Sequence, residues 1–435
     1  MRDNSAPRHF LREWENNGEQ PHLDQERLAS GRERLDLPAD AHGVLPSQYL
    51  RRAIEDRIVD AGTNHRIPPR NIQPASIDLR LGDTAYRIRT SFLPDSRPVE
   101  LKLKDLVIDE LDLRREGAVL ETNRPYLIPL IEALELPPDV RGKANPKSST
   151  GRLDVFTRVI TDHSYRFDEI RPGYHGRLYL EVVPLSFTVR VKEFLALNQL
   201  RLSIGRSRLR DEEIHALHSS QPLLFQNGKP VSKSELATSD GLFLSLDLKG
   251  DETGRVGYRA RDHAPVIEIG KEGLYDAESY WEPVYKEDGD RIVLVPQRFY
   301  LLLSEESVRI PPGFAAEMTA YDPTSGELRT HYAGFFDPGF GHDPKEEFFG
   351  SRAALEVRAH DVPFMIEHGQ RVCKLTFEHM LAPPDVLYGH EAGSSYQQQS
   401  DTLSKHFRSR LEPKEPATEQ RRSPSDQTAL FDEPA

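Results

Sequence analysis

The chain has 435 residues, 37% hydrophobic and 29% charged, with a formal net charge of −13. That length fits two or three folded domains. The acidic balance excludes a general nucleic-acid binder, which needs a basic surface against phosphate. No apolar run is long enough to span a bilayer, and the first twenty residues lack the apolar core of a signal peptide. A single cysteine, Cys373, rules out an internal disulfide and fits a cytoplasmic location.

In chain order, residues 1–43 are rich in Arg, Glu, Asp and Asn without apolar periodicity, which predicts a disordered extension. Ser47 is a candidate cap for a helix running to about Gly62, with Leu50, Ala53, Ile54, Ile58 and Val59 near helical spacing. From Ile72 the pattern turns to short apolar stretches broken by Pro, Gly, Asp and Asn, such as YLIPLIEALELPPDV and RLYLEVVPLSFTVRV. It predicts a β-rich domain over 44–205. A more polar connector follows over 206–263, with a short helix around 211–218, and then a second β-rich domain over 264–407. Residues 408–435 are charged and Pro/Ser-rich and read as an unfolded tail. The fold class expected is mainly β with a few short helices.

The two β-rich blocks are copies. RPYLIPLIEALELPPDVRGKANPKSSTGRLD corresponds to QRFYLLLSEESVRIPPGFAAEMTAYDPTSGELR, and the Pro-Pro steps at 137 and 311 lie 174 residues apart. Gly151 and Gly326, and the L-E-V triplets at 180 and 355, lie 175 apart, while the Pro-Gly steps at 172 and 338 lie 166 apart. A repeat of this length is a duplicated domain, not a solenoid unit.

Three strings carry candidate chemistry. IQPASIDLRLG at 72–82 reads as a turn into a strand, with Ile77, Leu79 and Leu81 pointing inward. Within 147–152, a lysine, two adjacent serines, a permissive glycine and an arginine supply charged donors and a turn whose N–H groups can face an anion. The same composition also makes an ordinary surface turn. Glu181 and Glu356 sit in L-E-V contexts, where strand alternation puts the glutamate opposite the leucine; a solvated strand glutamate is the plain reading.

Taken in order, IQPASIDLRLG, Lys147-Ser148-Ser149-Thr150-Gly151-Arg152-Leu153, and Tyr396-Gln397-Gln398-Gln399 followed by Leu403-Ser404-Lys405 resemble the dCTP deaminase branch of the trimeric dUTPase superfamily. The resemblance covers roughly 46–205 and 264–407. It implies two tandem dUTPase-like distorted β-barrel (jelly-roll-like) domains, a homo-oligomer built on threefold assembly, and nucleotide sites shared between neighbours. It also implies dCTP as substrate, Mg²⁺ carried with the triphosphate, and a general base at Glu181 or Glu356 that takes a proton from the water attacking C4 of cytosine. Ser148 and Arg152 are implied to hold that water and the glutamate. Lys147 and Ser149 are implied at the phosphates, Ala333 and Asp337 at the nucleoside, and Tyr396, Gln399 and Lys405 in a closing tail. Zinc is not expected: zinc deaminases need a His/Cys/Cys or three-cysteine set with H-x-E and P-C-x-x-C, and one cysteine with no His-x-Glu cannot supply it.

The copies differ where it matters. At the places of Ser148, Ser149 and Arg152, copy two has Pro323, Thr324 and Glu327, and a glutamate there repels a triphosphate. Copy two keeps Ala333-Gly334-Phe335-Phe336-Asp337-Pro338-Gly339, whereas copy one has Arg171-Pro172-Gly173. The expectation is a composite site, with the phosphate half from copy one and the nucleoside half with Glu356 from copy two. If copy-one domains form their own ring, Glu181 is the base. Rival readings are a bifunctional enzyme giving dUMP, a dUTP diphosphatase, and a nucleotide-binding regulatory protein without turnover. Gln427, Leu430 and Phe431 in QTALF resemble the peptide by which bacterial proteins dock on the replication sliding clamp.

Overall fold

The computed structural model describes residues 29–320, 328–330, 334–343, 345, 349–359, 361–389, 394, 396–397 and 402–408. It is mainly β, and no α-helix among the described residues is longer than Asp211–Ser220. Among the described residues no helix is long and apolar enough to cross a membrane.

Alternation sets the strands. Over Tyr126–Glu135 every second side chain from Ile128 onward is buried, as a half-covered strand requires. One of the buried set is polar: Glu132 is held by the Arg80 guanidinium at 2.6 Å and by the Arg80 backbone N–H at 2.7 Å. That contact fastens strand Ile77–Arg80 to the neighbouring sheet. Gly82, at the end of the same motif, lets the chain pass Pro129, because a Cβ there would stand 2.7 Å from the Pro129 carbonyl oxygen.

The duplication extends through the sheets. In copy one, Ala196–Ile204 pairs with Ile77–Arg80 and with Val140–Pro146, which continues to Glu169–Ile170. In copy two, Arg371–His379 pairs with Leu242–Ser245 and with Phe314–Ala320, which continues to Phe335–Phe336. The second sheets correspond too: Tyr126–Glu135 lies between Thr84–Ile88 and His175–Pro184, and Phe299–Val308 between Arg255–Ala260 and Ser351–Ala359.

This correspondence corrects the boundaries expected from sequence. The stretch 206–263 is no connector, because helix Asp211–Ser220 and strands Leu224–Gln226, Leu242–Ser245 and Arg255–Ala260 are the opening elements of copy two. They escaped detection because the side chains diverged while the pairing stayed: Asp78 faces Gln199, and at the matching rung Phe243 faces Lys374. The helix after Pro46 also stops early, at Ser47–Glu55, and Val59–Asp60 is already a strand on Tyr126–Glu135. The extension expected to be disordered is folded from Ala29: a capping box joins Ser30 to Glu33, and Leu35 is fully buried.

The two copies share a core. Tyr258, Ala260, Trp281, Phe299 and Leu301 of copy two, with Phe407 of the closing tail, pack into the cluster that fills copy one. A second cluster fills copy two. A third, Tyr86, Ile88, Val99, Leu103, Leu127, Ile160 and Tyr179, lies on one outer face of copy one. Ion pairs also cross the junction: Asp154 to Arg358, both buried, and the exposed Lys143 to the buried Glu317 at 2.5 Å.

Candidate active site

The 147–152 segment lies between strands Val140–Pro146 and Val155–Thr161, where Ser148–Gly151 closes a single helical turn. The Lys147 N–H donates to the Leu197 carbonyl at 3.0 Å, and the Gly151 N–H returns to the Lys147 carbonyl at 3.0 Å. Across the copy junction stands Glu356, opposite Leu301 on strand Ser351–Ala359. A Cβ on Gly151 would come within 2.7 Å of both Glu356 carboxylate oxygens. Glycine is therefore what allows the copy-one turn to lie against the copy-two carboxylate.

These groups line one cavity. Lys147, Ser148, Gly151 and Arg152 come from copy one; Asp337, Glu356 and the apolar Phe335, Phe336, Phe340 and Tyr388 come from copy two. The lining combines two cations with aromatic rings and two carboxylates, and the Glu356 carboxylate stands against the cationic turn itself.

Burial sets the electrostatics. Desolvation pushes the Glu356 carboxyl well above the usual carboxylate range; the Arg152 guanidinium opposes this and Asp154 adds to it. Burial also raises Asp337, against the pull of Arg201, and Asp78, against its ion pair with Lys147. The strand motif thus does more than turn the chain, because its aspartate anchors the first residue of the phosphate-type turn.

The closing tail is docked on that turn. Tyr396 lies under Arg152, with the guanidinium carbon 3.7 Å from the ring centre, and Arg152 donates to the Thr402 and Leu403 carbonyls at 3.2 and 3.4 Å. The Ser404 hydroxyl donates to the Ser149 carbonyl at 3.1 Å. Lys405 points away to Glu272 at 2.7 Å, and its N–H reaches the Tyr396 hydroxyl at 3.3 Å.

Of the candidate residues, Lys147, Ser148, Arg152, Asp337, Glu356 and Tyr396 therefore meet in one cavity. Ser149 and Lys405 stand behind it, in the tail contact. Ala333, Gln399, Gln427, Leu430 and Phe431, and the copy-two positions Pro323, Thr324 and Glu327, lie outside the described residues. Glu181 lies elsewhere. It is fully buried beside Arg158, whose Nε donates to Oε1 at 3.1 Å, and Arg158 also bonds the Ser91 hydroxyl at 2.8 Å and stacks on Phe167 at 3.7 Å. The face of copy one that matches the site face of copy two is covered by copy one's own helix Val99–Leu103, with Tyr179 donating to Glu100 at 2.9 Å.

Sequence reasoning missed Arg201, Tyr388 and the Asp154–Arg358 pair. An arginine in the R-L-S-I stretch of a strand has the look of a solvated side chain, and nothing local shows that it crosses into the other copy.

Comparison with known proteins bears on the family. The family model for the N-terminal domain of 2'-deoxycytidine 5'-triphosphate deaminase matches residues 41–206, and the model for the C-terminal domain matches 210–407. The "dCTP deaminase, dUMP-forming" of Halobacterium salinarum is 30% identical over 34% of this chain and 72% of its own length. The "dCTP deaminase" of Natronomonas pharaonis is 31% identical over 29% of this chain, which spans 61% of that relative. The crystal structure of 2'-deoxycytidine 5'-triphosphate deaminase from Agrobacterium tumefaciens is 44% identical and superposes with a TM-score of 0.73, over 79% of this chain and 97% of that one. The chain belongs to the 2'-deoxycytidine 5'-triphosphate deaminase family.

Proposed function

We propose that the chain hydrolyses dCTP to dUTP and ammonia, without zinc, at one composite site per chain with Glu356 as the base. The observation that carries this reading is the Glu356 carboxylate against Gly151, which puts a buried acid of copy two beside the Lys147–Arg152 turn of copy one. The triphosphate lies toward Lys147, Ser148 and Arg152, where an arginine fork and a lysine match phosphate oxygens. The pyrimidine lies between Phe336, Phe340 and Tyr388, with Asp337 at the sugar.

Glu356 takes a proton from water as the oxygen bonds to C4 and passes it to N3. The proton of the new C4 hydroxyl then goes by way of Glu356 to N4 as the C4–N4 bond breaks and C4=O forms, so that dCTP and water give dUTP and ammonia. A carboxyl with a raised pKa suits both halves of that transfer near neutral pH. The described lining holds no histidine or cysteine, which supports a metal-free hydrolytic step. Magnesium fits as an ion held mainly by the phosphates and water, since Lys147, Ser148 and Arg152 offer cations and a hydroxyl rather than a carboxylate cage; it would offset phosphate charge.

Both halves of the site come from one chain, so turnover does not depend on a threefold ring. Each copy is read as a distorted barrel, and the protein as cytoplasmic. Several relatives carry names specifying dUMP formation, which keeps a second cleavage of dUTP as the alternative. Incubation with dCTP and Mg²⁺ decides. Ammonia with dUTP supports the proposal, ammonia with dUMP and pyrophosphate supports the bifunctional reading, and no ammonia contradicts both.

A further inference from the structure

Arg201 lies on copy-one strand Ala196–Ile204, opposite Lys143. Its side chain is 3% exposed and is spent almost entirely on copy two. Nη1 donates to the Ala316 carbonyl and to Glu378 Oε2, both at 3.2 Å. Nη2 donates to Asp337 Oδ1 at 3.3 Å and to the Phe336 carbonyl at 3.5 Å, and the guanidinium lies over the Phe335 ring at 4.0 Å. Glu378 is itself fixed by the Ser207 hydroxyl at 2.7 Å.

A buried guanidinium is costly unless its donors are matched, so its presence calls for a reason. The fold supplies none. At the matching rung of copy two, Thr376 stands opposite Glu317, and that strand pairs as well with a hydroxyl as copy one does with an arginine. What the arginine adds is a grip on the 335–337 segment. Phe335, Phe336 and Asp337 all line the cavity, whereas Arg201 lies behind its wall. Among the described residues, strand Phe335–Phe336 pairs at Ala316 and Glu317, with the Met318 N–H donating to the Gly334 carbonyl at 2.9 Å, so backbone pairing holds it over a short stretch. Arg201 fastens both its Phe336 carbonyl and the carboxylate that follows.

We propose that Arg201 is a positioning residue that sets the nucleoside half of the site from the other copy, and so governs KM for dCTP rather than the chemical step. This rests on the deaminase reading above. Arg201 fixes where the Asp337 carboxylate stands and favours its charged form, while Glu356 and the phosphate turn are held independently of it. In an arginine-to-glutamine change the segment keeps its sequence but loses its anchor.

The test compares R201Q, D337N and the double variant in the full chain. R201Q should raise KM for dCTP roughly thirtyfold or more, the scale for removing one partner of a buried charge pair. Its kcat should stay within about threefold, and inhibition by inorganic triphosphate, which probes the phosphate half, should be unchanged. The effects of the double variant should be less than the product of the single effects, since the two changes share the Arg201–Asp337 contact. A wild-type KM in folded R201Q, equal weakening of inorganic triphosphate, or effects of R201Q and D337N that multiply would each overturn the proposal. If R201Q does not fold, R201K carries the test: it keeps the charge but not the fork, and KM must still rise with kcat held. Absence of ammonia release by the wild-type enzyme would instead sink the deaminase reading and leave the Arg201 geometry as a structural anchor.

Discussion

Glu181 and Glu356 occupy the same triplet in two copies of one domain, and their surroundings separate them. Glu181 faces an arginine that neutralises it and a cap that excludes ligands. Glu356 faces a cavity, and its carboxyl is raised by burial with Arg152 as the nearest compensating cation. The active form in the proposed mechanism is the carboxylate, so activity is lost as pH falls through the folded-state pKa. The acid limb of kcat/KM should accordingly lie above the ordinary carboxylate value of about 4.3. Arg152→Gln removes the cation that favours the carboxylate and should move the limb further up; a limb that stays at the ordinary carboxylate value contradicts the assignment. The same raised pKa means Glu356 favours folding while protonated and costs stability as pH rises, so Glu356→Gln should melt higher than the wild type at alkaline pH. Which glutamate would be which was only half legible in the sequence. The triplets are identical, and the difference lies in Arg158, Phe167 and the 89–106 excursion, none of which any local pattern connects to Glu181.

At the scale of elements, the tail from Thr402 to Phe407 closes the site by packing as much as by polar contact. Phe407 enters an aromatic cluster with Tyr275, Tyr280 and Trp281. His406 beside it bonds the Ser404 hydroxyl at 2.8 Å and is 2% exposed. Burial lowers its pKa to about 4, Lys405 adding to the drop and Glu272 opposing it. A group depressed in the folded state contributes stability above its unfolded pKa, about 6.5, and loses it as pH falls toward the folded value. Tail docking should therefore weaken between about pH 6.5 and 4, by up to about 3 kcal/mol. Limited proteolysis with an acid-active protease should cut the tail faster across that window, and His406→Asn should flatten the dependence; an acid-independent rate in both would contradict this. The tail motif was readable as a string, and so were the phosphate-type turn and the strands with regular alternation. The first third of copy two was not, because Leu242–Ser245 keeps the pairing of Ile77–Arg80 without its polar residues. Pairing leaves no mark in a single sequence once both faces of a strand are buried.

At the scale of the molecule, duplication has produced an unequal pair. The outer face of copy two packs on copy one and makes the site; the same face of copy one is closed by its own helix Val99–Leu103. A ring of three alternating domains cannot join two kinds of copy all the way round, and here one kind of interface is closed off within the chain. The proposal of one site per chain rests on that asymmetry, and the shared core and the Asp154–Arg358 pair join the two copies. The most direct test is turnover of dCTP by Glu356→Gln and Glu181→Gln. Loss of the base should cut kcat about 10²–10⁴-fold in Glu356→Gln, while Glu181→Gln keeps turnover close to wild type if it folds. Loss of turnover in Glu181→Gln alone, with Glu356→Gln still active, would contradict the composite site.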